Sequence, residues 1–488
     1  MKVLLVNPPR YGKLPVLRDE ICFQDVNYVP FPLRLAQLAS ILKERGHAVE
    51  IVDCNALNIS WKDLEGLLRQ KEYDILLFQS ADGLLSKDAK TAHISKQQHP
   101  GAAVVLLETV IAPVFPERVF SDYPDIDYIL LSVPETTFPD LVDALSASRK
   151  VEEVAGLAYR EGGLAKRTAH RPVDINMDSL PFLAYDLLPM EKYSIEVWDR
   201  SWKELKPAIR FRSTRGCPFG CKFCIIGSSD GVRGYDRGWR FMSPERVIDE
   251  LEYVKREYGI KGVYFWDETF TLDQERAKRI CELMIERDLD MTWRCLTRVD
   301  CVNPELLKLM KKAGCVHIEY GIESASDTML KRMGKKNTSA QQLQAIKWTR
   351  DAGISFHADM IVGLPGESKE TLEEDRKFIK KIGADLFHLS IAFPYPATDF
   401  YREAVQKGLL EVDDIYEVCR DTRIRVGNTP LARTEYLSIE ELKEEWKKMR
   451  KLMDKETLTL SRILTGIRRT RSPQEFVRKT KKLMSLLR

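Results

Sequence analysis

The sequence predicts an α/β protein with two parallel-sheet units and a helical tail. Three observations carry that class. Short apolar runs alternate with helix-periodic segments through residues 1–148, as in a doubly wound parallel sheet. The alternation lapses over 149–205 and resumes with a longer repeat over 206–405, as in a (β/α)6 partial barrel. From 406 to 488 the chain reads as helical and basic.

In the first unit, "KVLLVN" reads as a buried parallel strand. "FPLRLAQLASILKERG" follows as a helix stopped by Gly46, and "AVEIVD", "DILLFQ", "AAVVLLE" and "DYILLS" continue the strands. Ligands of such sheets bind at the strand carboxyl ends, which puts Asn7, Asp53, Ser80 and Glu108 near a candidate site. The segment 149–205 reads as a linker with a small hairpin at Gly162-Gly163. Its later part, "DINMDSLPFLAYDLLPMEKYS", is punctuated by proline. In the second unit the strands are "AIRFRST", "GVYFWD", "TWRCLTR", "VHIEYGIE", "SFHADMIVG" and "FHLSIAFP". Their C-terminal ends carry Cys217, Asp267 and Glu268, Arg298, Glu323 and the "GLPGE" turn, all on the reactive face of a barrel.

Composition bounds the function. A chain of 488 residues with 44% hydrophobic and 31% charged residues has room for several ordinary globular domains. A net charge of +3 does not point to nucleic acid, and no RNA-binding module or aromatic-basic platform is evident. No apolar run reaches the roughly 18–20 residues that span a bilayer, and "MKVLLVNPPRYG" lacks the features of a signal peptide. The expected location is the cytoplasm. Ten cysteines are too dilute for a disulfide scaffold. Cys22, Cys54, Cys281, Cys295, Cys301, Cys315 and Cys419 read as small buried hydrophobes. The seven histidines show no metal-ligand spacing, and "GLPGE" lacks the lysine and hydroxyl of a phosphate loop.

The exception is "RGCPFGCKFCIIG", where Cys217, Cys221 and Cys224 fall within eight positions. A structural zinc site takes four ligands, and no partner CxxC or HxxxH occurs elsewhere. An iron-sulfur cube held by three cysteines keeps one iron open for a substrate. Gly216 and Gly220 leave room for close backbone approach, and Pro218 stiffens the turn. Zinc and three incidental cysteines are the competing readings.

"CPFGCKFC" resembles the cluster loop of the radical S-adenosylmethionine superfamily. "FWDETFTLD", "LTRVD", "YGIESASDTMLKRMGKKNT", "MIVGLPGES" and "AFPYPATDFY" resemble, in order, the blocks of its members with an N-terminal cobalamin-binding domain. "NPPR", "PLRLAQLASILKERGHAVEIVD" and "MDSLPFLAYDLLP" resemble that subfamily's first domain, Rossmann-like, and its connector. The likeness covers about residues 1–405. It implies a [4Fe-4S] cluster on Cys217, Cys221 and Cys224, whose open iron chelates S-adenosylmethionine. One electron then breaks the carbon-sulfur bond to give a 5'-deoxyadenosyl radical. That radical takes hydrogen from unactivated carbon, which no side-chain acid or base does near neutral pH.

The resemblance further places Phe223 near the adenine and Asp267 and Glu268 at the methionine amino group. Glu323 and Ser324 fall at the ribose or the amino acid end. Arg298 is expected as a carboxylate clamp, since a guanidinium fork matches a carboxylate. Gly363 and Gly366 would shape the adenine-side loop, and Asn7 and Ser80 would meet a cofactor of the first domain. Each polar residue has an alternative as a barrel-rim ion pair or cap. The implied function is cobalamin-dependent C-methylation of a small-molecule or lipid-like substrate, with a flavodoxin- or ferredoxin-type electron donor. The alternatives are a radical enzyme that cyclises, couples or oxidises without methyl transfer, and an idle iron-sulfur sensor.

The first domain departs from its subfamily's pattern. A Gly-Gly-x-His stretch is expected after the fourth strand and an Arg-Gly-Glu-Gly-Glu stretch after the fifth, and here "LLETVIAPVFPERV" and "LSVPETTF" stand in those places. Two readings stay open: a modified cobalamin site, or a remnant that packs against the barrel. At the other end, residues 461–488 hold nine Lys or Arg against one Glu, interleaved with apolar residues. Such a basic amphipathic end suits contact with an anionic membrane surface, or a solvated cap on the barrel.

Overall fold

A computed structural model describes residues 1–19, 24–108, 110–197, 203–227, 238–420 and 429–457. Two separate parallel sheets organise the chain. In the first, Ala48–Asp53, Lys2–Asn7, Ile75–Gln79, Ala103–Leu107 and Tyr128–Leu130 lie side by side in parallel. The strands are mostly apolar, and Ile75–Gln79 is buried at every position, because helices cover both faces. Leu33–Glu44 and Pro134–Ser146 pack on one face through Leu35, Leu38, Leu42, Phe138 and Leu141. Trp61–Gln70, Lys90–Gln98 and Pro116–Asp122 cover the other, through residues such as Leu64, Leu68 and Phe120. The hairpin expected in the linker is present as Leu157–Glu161 and Leu164–Arg167, and it extends this sheet in antiparallel fashion. The first sheet therefore reaches past residue 148.

The second sheet has six parallel strands in sequence order: Ala208–Phe211, Gly262–Phe265, Thr292–Thr297, Cys315–Glu323, Ser355–Val362 and Leu386–Ile391. This is the (β/α)6 arrangement expected. The helices between the strands begin and end where side chains allow. Pro244–Tyr258 opens with Pro244 in its first turn, under a Ser243 hydroxyl that accepts the Arg246 N–H. It closes at Gly259, whose φ of +62° suits glycine.

Along the barrel strands, alternate residues point out and in. Phe211, Phe265, Trp293, Ile318, Phe356 and Leu389 join the core under the helices. The inward layer is polar: Arg210, Tyr264, Arg294, Glu319, His357 and His388. Arg294 stacks 3.6 Å over Tyr264 and pairs with Glu319 at 3.0 Å. His357 and His388 both reach Asp359 Oδ1, at 3.1 and 3.2 Å. The barrel interior thus holds a buried Arg294–Glu319 ion pair and a carboxylate bridged by two histidines.

The C-terminal region bridges the two units. Ile439–Glu456 lies on the barrel, with Leu442, Met449 and Met453 in its core. Ile415–Arg420 instead packs on the first unit, where Tyr416 and Cys419 join Val110 and Ile111. Residues 461–488, and with them the expected membrane contact, lie outside the described residues. No helix among the described residues is long and apolar enough to cross a membrane.

Candidate active site

The first barrel strand ends at Phe211, and the chain then turns into the cysteine loop. Asp267, at the end of the next strand, holds that turn. Its Oδ1 accepts from the Ser213 and Thr214 N–H groups, each at 2.7 Å, and its Oδ2 from the Ser213 hydroxyl at 2.6 Å. Both oxygens are committed, so Asp267 positions the loop. Gly216 then takes φ +84°, a left-handed step open to glycine.

Cys217, Cys221 and Cys224 line one cavity of about 420 Å³ at the barrel mouth. All three are free thiols, and burial pushes each one's pKa up, that of Cys224 to about 12. Each sulfur has an N–H directed at it: Phe219 at Cys217, Ile226 and Gly227 at Cys224, and the Arg298 guanidinium at Cys221. Such donors stabilise thiolate ligands. The donor set therefore fits a metal cluster with three sulfur ligands. Gly227, which the sequence reading missed, is needed for this turn. A Cβ there would lie 3.0 Å from Phe219 O and 3.2 Å from Cys221 O.

Around the sulfurs the wall is aromatic and charged. Phe219, Phe223, Trp266 and Tyr395 line it with Glu268, Glu323 and Lys335. Glu268 has a buried Oε2 without a hydrogen-bond partner among the described residues. Burial raises its pKa, against the pull of Arg212 and Arg215. An acceptor held in this way fits an ammonium group, so Glu268 suits the amino group of S-adenosylmethionine. Glu323 sits at a strand irregularity with φ +63° and takes Lys335 Nζ at 2.9 Å. Farther in, Glu319 and Asp359 reach the same cavity. The two histidines hold Asp359 ionised well below the usual carboxylate range, although burial alone would raise it.

Other expected residues lie elsewhere. Ser324 is fully buried and donates to Asp375, so it braces the turn behind the cavity. Gly363 (φ +96°) donates to Glu367 and faces Leu442, while Gly366 (φ +85°) donates to Glu435 beside Arg332. Neither lines the cavity. Arg298 does line it, but its fork is occupied: Nε and Nη2 grip Asp300, and Nη1 faces Cys221 Sγ. Asn7 and Ser80 are buried in the first unit's own network. Asn7 holds Asp53 and accepts from Arg18 and Gln79, and Ser80 donates to Asp88. Arg18, fully buried against Asp88 and the Pro8 and Pro9 carbonyls, fills the crevice over these strand ends. A cofactor therefore does not fit at Asn7 and Ser80. The first unit meets the cavity instead through Asp19 and Arg34, and a group seated between the two units fits that wall.

Between the units, Glu135 forms a buried ion pair with Arg215, two residues before Cys217. The polar inner layer and this clamp were both missed from sequence. The first had a signal in the alternation of "AIRFRST", "VHIEYGIE" and "SFHADMIVG". The second had none, because its partners lie far apart in the chain.

A family model described as the radical SAM superfamily matches residues 211–379. An uncharacterised methyltransferase of Pyrococcus horikoshii is 34% identical over 410 residues, covering 84% of this chain and 84% of the relative. The anaerobic magnesium-protoporphyrin IX monomethyl ester cyclase of Rubrivivax gelatinosus is 29% identical over 384 residues, covering 77% of this chain and 66% of the relative. Among solved structures, the cobalamin-dependent S-adenosylmethionine radical enzyme OxsB, with aqua-cobalamin and S-adenosylmethionine bound, superposes with a TM-score of 0.73. That match has 19% identity and covers all of this chain and 72% of the other, which shows a shared fold.

Proposed function

The chain belongs to the radical S-adenosylmethionine superfamily, and from that premise we propose that it methylates an unactivated carbon with cobalamin as methyl carrier. The observation that carries this is a single cavity lined both by the three cysteines and by first-unit residues Asp19 and Arg34. When bound, the cluster supplies an electron, S-adenosylmethionine the hydrogen-abstracting radical, and the corrin a methyl group.

The chain's residues would position these groups. Cys217, Cys221 and Cys224 hold iron, Glu268 receives the methionine amino group, and Phe223 packs against the adenine. Phe219, Trp266 and Tyr395 exclude water. The corrin would lie against Asp19 and Arg34, since Arg18 closes the crevice at Asn7 and Ser80. The charged inner wall of Glu319 and Asp359 favours a substrate with a polar group. A lipid-like substrate would then enter with its polar end toward Asp359. A flavodoxin- or ferredoxin-type protein is the fitting electron donor, the cytoplasm the fitting location, and the basic stretch 461–488 the fitting contact with an anionic membrane surface.

The filled crevice also favours a second reading, radical cyclisation or oxidation without methyl transfer. Anaerobic protein reconstituted with iron, sulfide and hydroxocobalamin, and given S-adenosylmethionine with a low-potential reductant, separates the two. The methylation reading expects a retained corrin band, and both 5'-deoxyadenosine and S-adenosylhomocysteine from S-adenosylmethionine. 5'-Deoxyadenosine alone, with no corrin retained, selects the second reading. Absence of 5'-deoxyadenosine sinks both.

A further inference from the structure

Arg298 is a buried cation at the edge of the cysteine loop, and every nitrogen of its fork has a partner. Nε and Nη2 donate to the two Asp300 oxygens at 2.9 and 2.7 Å. Its Cζ lies 3.7 Å over the Phe219 ring, which covers one face of the guanidinium. Nη1 is thereby aimed at Cys221 Sγ, 3.8 Å away. Asp300 and Phe219 fix the plane of the fork, and the sulfur receives the remaining nitrogen. Lys335 adds a second buried charge near Cys221, held in place by Glu323 and the Gly321 carbonyl.

We propose that Arg298 is a positioning residue that raises the cluster's reduction potential through an N–H···S bond to Cys221. The inference rests on the reading of Cys217, Cys221 and Cys224 as cluster ligands. Reduction adds one electron from an external low-potential donor to the cluster, and no bond forms or breaks. The added negative charge spreads onto the sulfurs. A donor and a cation at one sulfur therefore stabilise the reduced form more than the oxidised one. Asp300 offsets much of the guanidinium's charge at longer range, so the directed N–H carries the effect.

The experiment is redox potentiometry of the reconstituted cluster, followed by electron paramagnetic resonance, without S-adenosylmethionine. Wild type, Arg298→Gln and Arg298→Lys are compared at equal iron content. The expected result is a shift to more negative potential in Arg298→Gln and a smaller one in Arg298→Lys, which keeps the charge but loses the fork. An unchanged potential, with loss of S-adenosylmethionine binding, would make Arg298 a carboxylate clamp and overturn the proposal. If both variants fail to hold iron, wild-type protein labelled with guanidino-¹⁵N arginine decides. A nitrogen hyperfine coupling on the reduced cluster is expected, and its absence counts against the proposal. Wild-type protein that takes up no iron would instead defeat the cluster reading itself.

Discussion

At the scale of single residues, the site stands on groups whose positions are set by what they are bonded to behind the cavity. Asp375 is one. Its Oδ1 accepts from the Ser324 hydroxyl at 2.9 Å and the Ala325 N–H at 2.5 Å, and burial raises its pKa from 3.8 to about 7. The folded protein thus keeps a proton on this group to higher pH than the unfolded chain does. The resulting stability is full below about pH 4 and is lost as pH rises through 7. Asp375→Asn keeps an oxygen acceptor without the charge. It should be more stable than wild type at pH 8, by on the order of 2 kcal/mol, with the advantage fading near pH 5. Urea unfolding at the two pH values checks this, and a difference that ignores pH would refute it. Gly227 gives a second test. An alanine Cβ would press on the backbone of Phe219 and Cys221. Gly227→Ala should lower the iron taken up on reconstitution several-fold while far-ultraviolet circular dichroism holds. The three cysteines were legible from sequence because their spacing is local. The role of Ser324 was not, because its partner Asp375 lies 51 residues away.

At the scale of elements, what matters is how the helix Pro134–Ser146 of the first unit reaches the cysteine loop of the second. Glu135 lies in that helix's first turn, where the helix dipole favours an acid. Burial pushes its pKa up, but Arg215 overrides this and holds it below the usual range. Removing one partner of such a pair strands a buried charge. Glu135→Gln should therefore cost about 3 kcal/mol and speed iron loss in air, and Glu135→Gln with Arg215→Gln should recover part of that cost. Chemical unfolding and the decay of the cluster's visible absorbance measure the two effects. Equal iron loss in Glu135→Gln and wild type would mean that the clamp does not act on the loop. The elements themselves were readable: every barrel strand was expected from its apolar run. The direction of their polar residues was readable only in part, since period-2 alternation reveals two faces without saying which one encloses the other.

At the scale of the whole molecule, Asp414 to Arg420 and the helix Ile439–Glu456 tie both units together. Arg118 of the first unit holds Asp414 at 2.6 Å and Glu417 at 3.0 Å, and Tyr416 donates to Asp122. Leu442 and Met449 meanwhile fill the barrel's outer core. A chain ending at residue 405 should expose both contact surfaces. It should lose the single cooperative calorimetric transition expected of the full chain, and a truncated chain melting as one unit at the same temperature would contradict this. Sequence alone determined the two parallel units, the cysteine loop and the family, because periodicity and short spacings are properties of neighbouring residues. Tertiary structure decided that Arg18 closes the first unit's crevice, that Arg298 turns to Cys221 and that Glu135 meets Arg215. These partners are joined by packing across many intervening residues, and no local pattern records which distant charge a buried side chain will find.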